Sequence, residues 1–451
     1  MTAIDQTSVA EAVVASMQSI PEDWRPDCFP ALLTAAGQVS TAQQMAVIIG
    51  MLGNGASYGA DAPPTTLAFP ADYALHLESG SEWYWFSANL TVDNDPKEGQ
   101  VHVLGVMARN RAVTVAVEQA NGWTPAQSQV VDSAATVTIS AGGVSKIVRR
   151  SPNVQWSALG GQTAFETQPF LYQCGPDSYA GPNDGSQNVV PFTVVIDDGD
   201  NMNVQLTLTS DFEGENGLFL QGINGTTPAP KLGIYYSWPQ LKVTGTVVVE
   251  GVTYPVSGVG WIDHQLIMYA PPEKPFPAPS PAPGWTLTQP LDGWSWCQFN
   301  LANGDAFTGA SFVTGTLNNN AFFEYGLYVS RTETGFTTTA LMGSQTLDRF
   351  APFLENVMMP TVWRYDVTDW NGGFTYDLTV VPGPVYPDGS FATGNLKIAG
   401  ETPVTVTVLN RGPSNNQTGP CTVTIGQGYS ESVGYEAPGQ YLQRGLAFLG
   451  V

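Results

Sequence analysis

The stretch that decides the fold is YYSWPQLKVTGTVVVEGVTYPVSGVGWIDHQ, residues 235–265. Its Val, Thr, Tyr and Trp residues favour β-strands, and a short turn divides the stretch into two strands. Asp263 and His264 stand near its end, inside an otherwise apolar run. Burying a polar group without a partner costs roughly 2–7 kcal/mol. This pair is therefore either a hydrogen-bonded support or part of a reactive site.

Successive side chains on a strand point to opposite faces of the sheet. A regular strand over 257–267 places Trp261, Asp263 and Gln265 on one face and Ile262, His264 and Leu266 on the other. We therefore predict that Asp263 and His264 do not share one cavity unless a bulge intervenes. By the same rule, Glu82, Tyr84 and Phe86 share one face of a second strand, and Trp83 and Trp85 lie on its other face. In a third strand, one face carries Trp294, Trp296 and Gln298, and the other carries Ser295, Cys297 and Phe299.

From about residue 67 onward, short runs rich in Val, Thr, Ile, Phe and Tyr alternate with Gly, Asn, Asp and Pro. The segment DDGDN at 197–201 is typical of a hairpin turn. Strands at this spacing without long helices between them indicate an antiparallel sandwich or barrel. We predict a mainly β protein with two antiparallel β-barrels or sandwiches and a short N-terminal helical extension.

Changes in composition indicate where the domains end. Residues 1–66 begin with helical periodicity, including a predicted capping box from Ser8 to Glu11. The segment APPEKPFPAPSPAPG at 270–284 holds seven prolines, which favour an extended path. We predict a helical extension at 1–66, a first β-domain at 67–270, a Pro-rich linker at 271–284 and a second β-domain at 285–451, although a long loop within one domain is the alternative.

The composition narrows the range of partners. The chain has 451 residues and a formal net charge of −23, with only 16 Lys and Arg. Such an acidic surface repels phosphate backbones and anionic lipids, so we expect no nucleic-acid partner and no membrane insertion. The four cysteines form no C-x-x-C pair and the chain has three histidines, so no metal site is predicted. The N-terminal residues lack the features of a signal peptide, which leads us to expect a cytoplasmic protein.

Three segments together carry a resemblance to a known family. They are FPADYALHLESGSEWYWFSANL at 69–90, the stretch at 235–265, and GWSWCQFNLANGDAF at 293–307. In this order they resemble the lipocalin-like family of carotenoid 1,2-hydratase (hydroxyneurosporene synthase), which includes related hydratases and Diels–Alderase-type cyclases. The family often has Asp-His where this chain has Asp72-Tyr73, and Glu-Trp-Trp-Tyr where it has Glu-Trp-Tyr-Trp at 82–85. An aromatic-glycine pair often follows Asp-His-Gln in the family, where this chain has Leu266-Ile267.

The resemblance implies acid catalysis on an alkene. The aspartate matching Asp263 protonates a carbon–carbon double bond, and water or an internal hydroxyl captures the cation, giving hydration, cyclisation or isomerisation. The acid must be neutral near pH 7, and burial among apolar side chains raises an Asp pKa in that direction. Glu82 or His264 would serve as the base.

Aromatic side chains can stabilise the cation without attacking it. The predicted substrate-binding residues are Trp83, Tyr84, Trp85, Tyr235, Tyr236, Trp238, Trp261, Gln265, Trp294 and Trp296. No nucleotide, metal or other cofactor is predicted, and the expected partner is an apolar small molecule of the isoprenoid or polyketide class.

Two other functions fit the same residues. A Diels–Alderase-type pericyclase would fold a polyene into its reactive shape and use polar groups only to polarise it. A non-catalytic carrier would hold a hydrophobic ligand in a barrel. Two structural alternatives exist. Asp263 can be a buried, hydrogen-bonded support without a catalytic role, and the aromatic residues can belong to an ordinary hydrophobic core.

Overall fold

The computed structural model describes a defined part of the chain: residues 3–20, 22, 25–52, 67–95, 97, 99–141, 143–221, 225, 234–267, 293–313, 321–340, 342–354, 357–368, 375–382, 386–387, 399–410, 422–433 and 440–451. The Pro-rich linker predicted at 271–284 lies outside these residues.

The first sheet is antiparallel and contains, among the described residues, thirteen strands. These are β1 (Ser81–Val92), β2 (Gln100–Arg111), β3 (Gln129–Ala141), β4 (Val144–Arg149), β5 (Asn153–Trp156), β6 (Thr163–Thr167), β7 (Phe170–Cys174), β8 (Asp177–Ala180), β9 (Phe192–Asp197), β10 (Met202–Thr209), β11 (Phe219–Leu220), β12 (Tyr235–Val249) and β13 (Val252–Ile267). The order is β4-β3-β2-β1-β13-β12-β10-β9-β8-β7-β6, with β5 beside β3 and β11 beside β12.

The first sheet curls until its two ends meet. Asn153 on β5 donates through Nδ2 to the carbonyl of Cys174 on β7 at 2.8 Å. The enclosed side holds a core that includes the fully buried rings of Tyr84, Phe86 and Tyr172. The inside of this sheet is therefore filled largely by its own side chains, and Asp197 and the following residues form the predicted hairpin turn between β9 and β10.

The second sheet is antiparallel and contains ten strands in the described part of the chain. These are β14 (Gly293–Leu301), β15 (Ala306–Val313), β16 (Ala321–Arg331), β17 (Phe336–Ala340), β18 (Met342–Leu354), β19 (Val357–Thr368), β20 (Thr375–Pro382), β21 (Tyr386–Pro387), β22 (Ala399–Asn410) and β23 (Thr422–Val433). In each sheet one long strand pair joins an early strand to the last, β1 to β13 and β14 to β23.

The two sheets pack against each other through these strand pairs. Trp85 of β1 contacts Trp296 of β14, with ring centroids 4.8 Å apart and nearly perpendicular. Trp85 also lies 6.1 Å from the ring of Tyr429 on β23. Gln298 donates through Nε2 to Ser87 Oγ at 2.6 Å across the same contact. The predicted fold class, mainly β with two lipocalin-like antiparallel units, is confirmed by this architecture.

Glycines let the paired strands approach closely. A Cβ built on Gly258 would lie 2.2 Å from the carbonyl oxygen of Asn89 and 2.9 Å from the Cα of Leu90, both backbone atoms. The second sheet repeats this at Gly428, where a Cβ would lie 1.7 Å from the Gln298 carbonyl oxygen. Neither strand pair can accept a side chain at these positions without separating.

We expect Gly258→Ala to lower the free energy of unfolding by about 1–3 kcal/mol, the usual range for overpacking. Chemical denaturation followed by fluorescence would measure it. Gly37→Ala is the matched control, because Gly37 has a φ of −66° and its Cβ would meet no atom closer than 3.5 Å. Equal effects of the two substitutions would contradict the close approach of β13 to β1.

Helices cover one side of the first sheet. They are α1 (Gln6–Gln18), α2 (Phe29–Ala36), α3 (Ala42–Met51), α4 (Val115–Asn121) and α5 (Gln440–Leu449), with 3₁₀ turns at Ala71–Tyr73, Pro125–Ser128, Ser157–Leu159 and Gly214–Gly217. Leu442, Leu446 and Leu449 of α5 pack against the core formed by α1–α3. The predicted Ser8–Glu11 capping box is wrong: Asp5 caps α1 by accepting from Ser8 N, since an aspartate three residues earlier is an equally good cap.

None of the helices in the described ranges has the length and apolar character needed to span a bilayer.

Candidate active site

Strand β13 carries Asp263 and His264 to opposite faces of the first sheet. Its pairing with β1 runs without a bulge from Val256 to Ile267, so the side chains alternate strictly. Asp263 faces the second sheet and His264 faces the core that the first sheet encloses. The two residues therefore belong to separate clusters, as the alternation predicts.

Asp263 is a buried carboxyl that accepts three hydrogen bonds. The residue is only 3% exposed to solvent. The Tyr235 hydroxyl donates to Oδ2 at 2.9 Å, and Trp261 Nε1 donates to Oδ1 at 2.7 Å. The Ser237 hydroxyl also donates to Oδ1, and Gln221 Nε2 orients that hydroxyl by donating to it at 2.8 Å. All of these donors are neutral groups.

Burial makes Asp263 an unusually weak acid. Removal from water raises its pKa from 3.8 to about 7, although the hydrogen bonds from Ser237, Trp261 and Tyr235 oppose the change. Within the part of the chain that is described, no Lys, Arg or His side chain forms an ion pair with it. A large share of the Asp263 side chains is therefore protonated at neutral pH.

Aromatic rings surround the face on which Asp263 lies. Trp85 is its cross-strand neighbour, and Trp261 precedes it by two residues on the same face. Phe219 packs edge-on against Trp261 at 5.6 Å, and Trp296 and Tyr429 enter the cluster from the second sheet. Electron-rich ring faces of this kind attract a positive charge.

Glu82 lies on the other face, at the centre of a buried ionic network. Arg109 donates to its Oε2 from Nε at 2.8 Å and from a terminal nitrogen at 2.6 Å, and both side chains are fully buried. His264 Nε2 and His76 Nδ1 lie 2.8 and 3.0 Å from Oε1. Burial by itself would raise the pKa of Glu82, but Arg109 and the two histidines outweigh it and hold that pKa well below its usual range.

The protonation of His264 follows from its neighbours. Because Glu82 is ionised, His264 Nε2 carries a proton and donates it to Oε1. Burial lowers the pKa of His264, and its Nδ1 lies 2.5 Å from the Tyr236 hydroxyl. His76 differs: burial lowers its pKa, yet Glu82 and Asp72 together raise it to about 9. The cluster thus balances two carboxylates with Arg109 and protonated His76.

This network holds the segment 68–80 across one end of the first sheet. Arg109 donates to the carbonyls of Ser79, at 2.9 Å, and His76. Arg111 donates to the Leu77 carbonyl at 2.6 Å. Sequence reasoning missed both arginines, although two cations in the strand-like run VMARNRAV at 106–113 required buried partners.

Tyrosines complete the attachment of the same segment. Tyr84 OH donates to the Tyr73 carbonyl at 2.7 Å, and Tyr236 OH lies 2.6 Å from the Asp72 carbonyl. The Tyr84 ring stacks on His264 at 4.1 Å. These contacts assign Tyr84 and Tyr236 to the enclosed core rather than to the face that carries Asp263.

The structure therefore divides the predicted site residues. On the face of the first sheet toward the second lie Asp263, Trp83, Trp85, Tyr235, Trp261 and Gln265, and Trp296 meets this face from the second sheet. On the enclosed face lie Glu82, His264, Tyr84, Tyr236 and Trp238. Trp294 belongs to β14, but its side chain is outside the described part. Sequence reasoning missed Ser237 and Tyr429, which join the first group.

A cavity of about 410 Å³ opens at the end of the first sheet. Its wall includes Tyr73 and Trp238, whose rings lie 5.5 Å apart, together with Asn188, Pro191 and Glu213. Trp238 follows Ser237 on β12, so the cavity and Asp263 lie on opposite faces of that strand. Tyr73 stands where the family often has histidine, so this departure in sequence shapes the cavity wall.

Across the described ranges, no group of three or more His, Cys, Asp and Glu side chains is arranged to hold a metal ion.

The chain matches one protein family and is similar in structure to several solved proteins, including the following two. The sequence profile of the AttH-like family matches residues 60–380. A Nitrosomonas europaea protein described as AttH is 19% identical, with a TM-score of 0.58 over 84% of this chain and 100% of that chain. Kievitone hydratase from Nectria haematococca is 13% identical, with a TM-score of 0.50 over 83% of this chain and 96% of that chain. At these identities the likeness shows a shared fold. No curated protein matches the chain in sequence.

Proposed function

The chain belongs to the AttH-like family, and from this membership and the state of Asp263 we propose that it is a hydratase-type enzyme acting on an apolar alkene. The family match agrees with the resemblance to lipocalin-like hydratases predicted from the sequence. One observation carries the proposal: a carboxyl buried among aromatic rings, with a pKa raised to about 7 and only neutral hydrogen-bond donors.

In the proposed reaction Asp263 donates its proton to one carbon of the double bond. The new C–H bond uses the π electrons, so the other carbon becomes a cation and Asp263 becomes a carboxylate. Trp261 Nε1, the Tyr235 hydroxyl and the Ser237 hydroxyl then stabilise that carboxylate through the hydrogen bonds they already make. Because these donors are in place beforehand, the reaction requires little reorganisation around the acid.

The cation forms beside the rings of Trp85, Trp261 and Trp296, which favour it by roughly 0.5–2 kcal/mol each. Water attacks this carbon, and loss of one proton from the oxygen gives an alcohol. The apolar side chains limit the number of water molecules near the cation, which favours the addition of one water molecule and limits side reactions. The substrate class that fits such a lining is an apolar isoprenoid or polyketide.

The catalytic roles predicted for Glu82 and His264 remain predictions, and the geometry supports a positioning role for both. Glu82 is committed to Arg109 and to both histidines, and its low pKa makes it a poor base. Both nitrogens of His264 are engaged in hydrogen bonds. The two residues support β1, β13 and the segment 68–80 from behind.

The experiment that tests the function is turnover in deuterium oxide. Kievitone and an acyclic carotenoid are incubated with the protein, and the products are analysed by mass spectrometry and NMR. We expect the product to gain the elements of one water molecule, with deuterium bound to carbon. Asp263→Asn should reduce turnover by at least about 10²-fold, the usual contribution of a general acid.

Asp184→Asn is the control, because Asp184 is exposed. A product without carbon-bound deuterium, formed equally well by Asp263→Asn, would favour a pericyclase. Tight binding of both probes without any turnover would favour a carrier, for which the 410 Å³ cavity is the natural site.

A further inference from the structure

The contact between the two sheets is built from equivalent residues. The segments Trp83–Leu90 and Trp294–Leu301 share the pattern W-x-W-x-x-x-N-L at an offset of 211 residues. Trp85 meets Trp296, and Ser87 meets Gln298, so each contact joins a residue to its own equivalent. β1 lies against β23 while β13 lies against β14. This is the pattern of an isologous interface, with an approximate two-fold axis inside one chain.

The last strand of each sheet carries the second half of the repeat. β13 contains Gly-Val-Gly-Trp-Ile-Asp at 258–263, and β23 contains Gly-Gln-Gly-Tyr-Ser-Glu at 426–431. The register is also the same, because Trp85 pairs with Asp263 and Trp296 pairs with Glu431. Glu431 is therefore the structural equivalent of Asp263.

The approximate symmetry places the two acids beside one aromatic contact between the sheets. Asp263 is the cross-strand neighbour of Trp85, and Glu431 is the cross-strand neighbour of Trp296. The rings of these tryptophans are in contact at 4.8 Å. Glu431 shares its strand face with Tyr429, which packs on Trp85. Each acid therefore neighbours one of the two tryptophans in this contact, Asp263 from the first sheet and Glu431 from the second.

The two acids differ in solvent exposure, as a proton donor and a proton acceptor require. Asp263 is 3% exposed, whereas Glu431 is partly open to solvent. A buried carboxyl favours the neutral form and a solvated one favours the ionised form. Among the described residues, the titratable side chains on the facing strands include Tyr235 on β12, which donates to Asp263, and Tyr429 on β23, which belongs to the same aromatic cluster as Trp85.

We propose that Glu431 is the second catalytic carboxyl, the base that receives a proton from the attacking water. This inference rests on the proposed function. As Asp263 gives its proton to carbon, the water oxygen bonds to the cationic carbon and one O–H bond of that water breaks toward Glu431. Each turnover leaves Asp263 ionised and Glu431 protonated. Proton exchange of Glu431 with solvent, and return of one proton to Asp263, restore the starting state.

The test needs no substrate, because Trp261 Nε1–H donates to Asp263 and reports its charge. Protein labelled with ¹⁵N at its 12 tryptophans is titrated by NMR, and Trp261→Phe identifies the indole signal. If the two carboxyls share one site, a negative charge on Glu431 opposes ionisation of Asp263. Glu431→Gln should then lower the midpoint of the Trp261 titration by about half a pH unit.

Two further variants make the test specific. Glu431→Asp keeps the charge and should hold the midpoint near that of the wild type, while Glu250→Gln removes an exposed charge elsewhere and should leave it unchanged. An unchanged midpoint in Glu431→Gln, measured on a folded protein, overturns the inference.

Turnover separates this inference from the proposed function. With an accepted probe, we expect Glu431→Gln to reduce kcat and to abolish the acidic limb of its pH profile. If Asp263→Asn loses turnover while Glu431→Gln keeps it, the proposed function is supported and the role of Glu431 as the base is rejected. A shifted titration in a protein that hydrates neither probe supports the carboxyl pair and rejects the function.

Discussion

Glu82→Gln is expected to lower the free energy of unfolding by about 3–5 kcal/mol, because it leaves the guanidinium of Arg109 buried without its charged partner. Both side chains are fully buried, so water cannot replace the lost contacts. Because glutamine has nearly the same shape as glutamate, the change in the free energy of unfolding reports the loss of the negative charge. Chemical denaturation followed by tryptophan fluorescence would measure it.

Two comparisons make this expectation specific. Glu250→Gln breaks the exposed Lys146–Glu250 pair, in which the Glu250 side chain is 63% exposed, and should cost no more than about 1 kcal/mol. Adding Arg109→Met to Glu82→Gln removes the stranded charge and should recover part of the stability. A Glu82→Gln protein as stable as the Glu250→Gln protein would show that the network does not support the fold.

Asp263→Asn is expected to stabilise the protein at alkaline pH while it removes the proposed acid. The pKa of Asp263 is about 7 in the folded state and 3.8 in the reference state, so the folded protein binds its proton more tightly. The stability from this group is complete below pH 3.8 and is lost as the pH rises through 7. The difference of roughly three units corresponds to a loss on the order of 4 kcal/mol, which the asparagine variant avoids.

The measurement is the free energy of unfolding of both proteins between pH 4 and pH 9. We expect the advantage of Asp263→Asn to grow between pH 4 and 7 and then to level off. The contribution of His76, whose pKa is raised to about 9, is common to both proteins and cancels in the difference. Asp184→Asn should show no trend over this range, because hydrogen bonds from Ser186 lower the pKa of Asp184 from 3.8 and its pH-dependent contribution falls below pH 4. A difference independent of pH would mean that Asp263 is ionised throughout.

Much of the fold follows from local pattern. The strand stretches with their turn residues predicted two antiparallel units, and the two-residue period placed Asp263 and His264 on opposite faces. These predictions hold because side-chain alternation is a property of one strand and needs no knowledge of its partners. The period also separated Trp83 and Trp85 from Glu82 and Tyr84, as the structure does.

The composition of each cluster could not be predicted in the same way. Arg109 reaches Glu82 from β2, and Ser237 reaches Asp263 from β12, so each contact depends on strand register across the sheet. Helix α5 joins the N-terminal helices from the far end of the chain, a contact that no local period encodes. The equivalence of Glu431 with Asp263 did leave a signal, the W-x-W-x-x-x-N-L repeat.

The segment 68–80 is fastened largely through its peptide carbonyls. Tyr84 and Tyr236 bind those of Tyr73 and Asp72, and Arg109 and Arg111 bind those of His76, Leu77 and Ser79. A peptide carbonyl persists whatever side chain a codon specifies. Mutation can therefore vary residues such as Tyr73, and with them the neighbouring cavity, while the attachment of the segment is inherited unchanged.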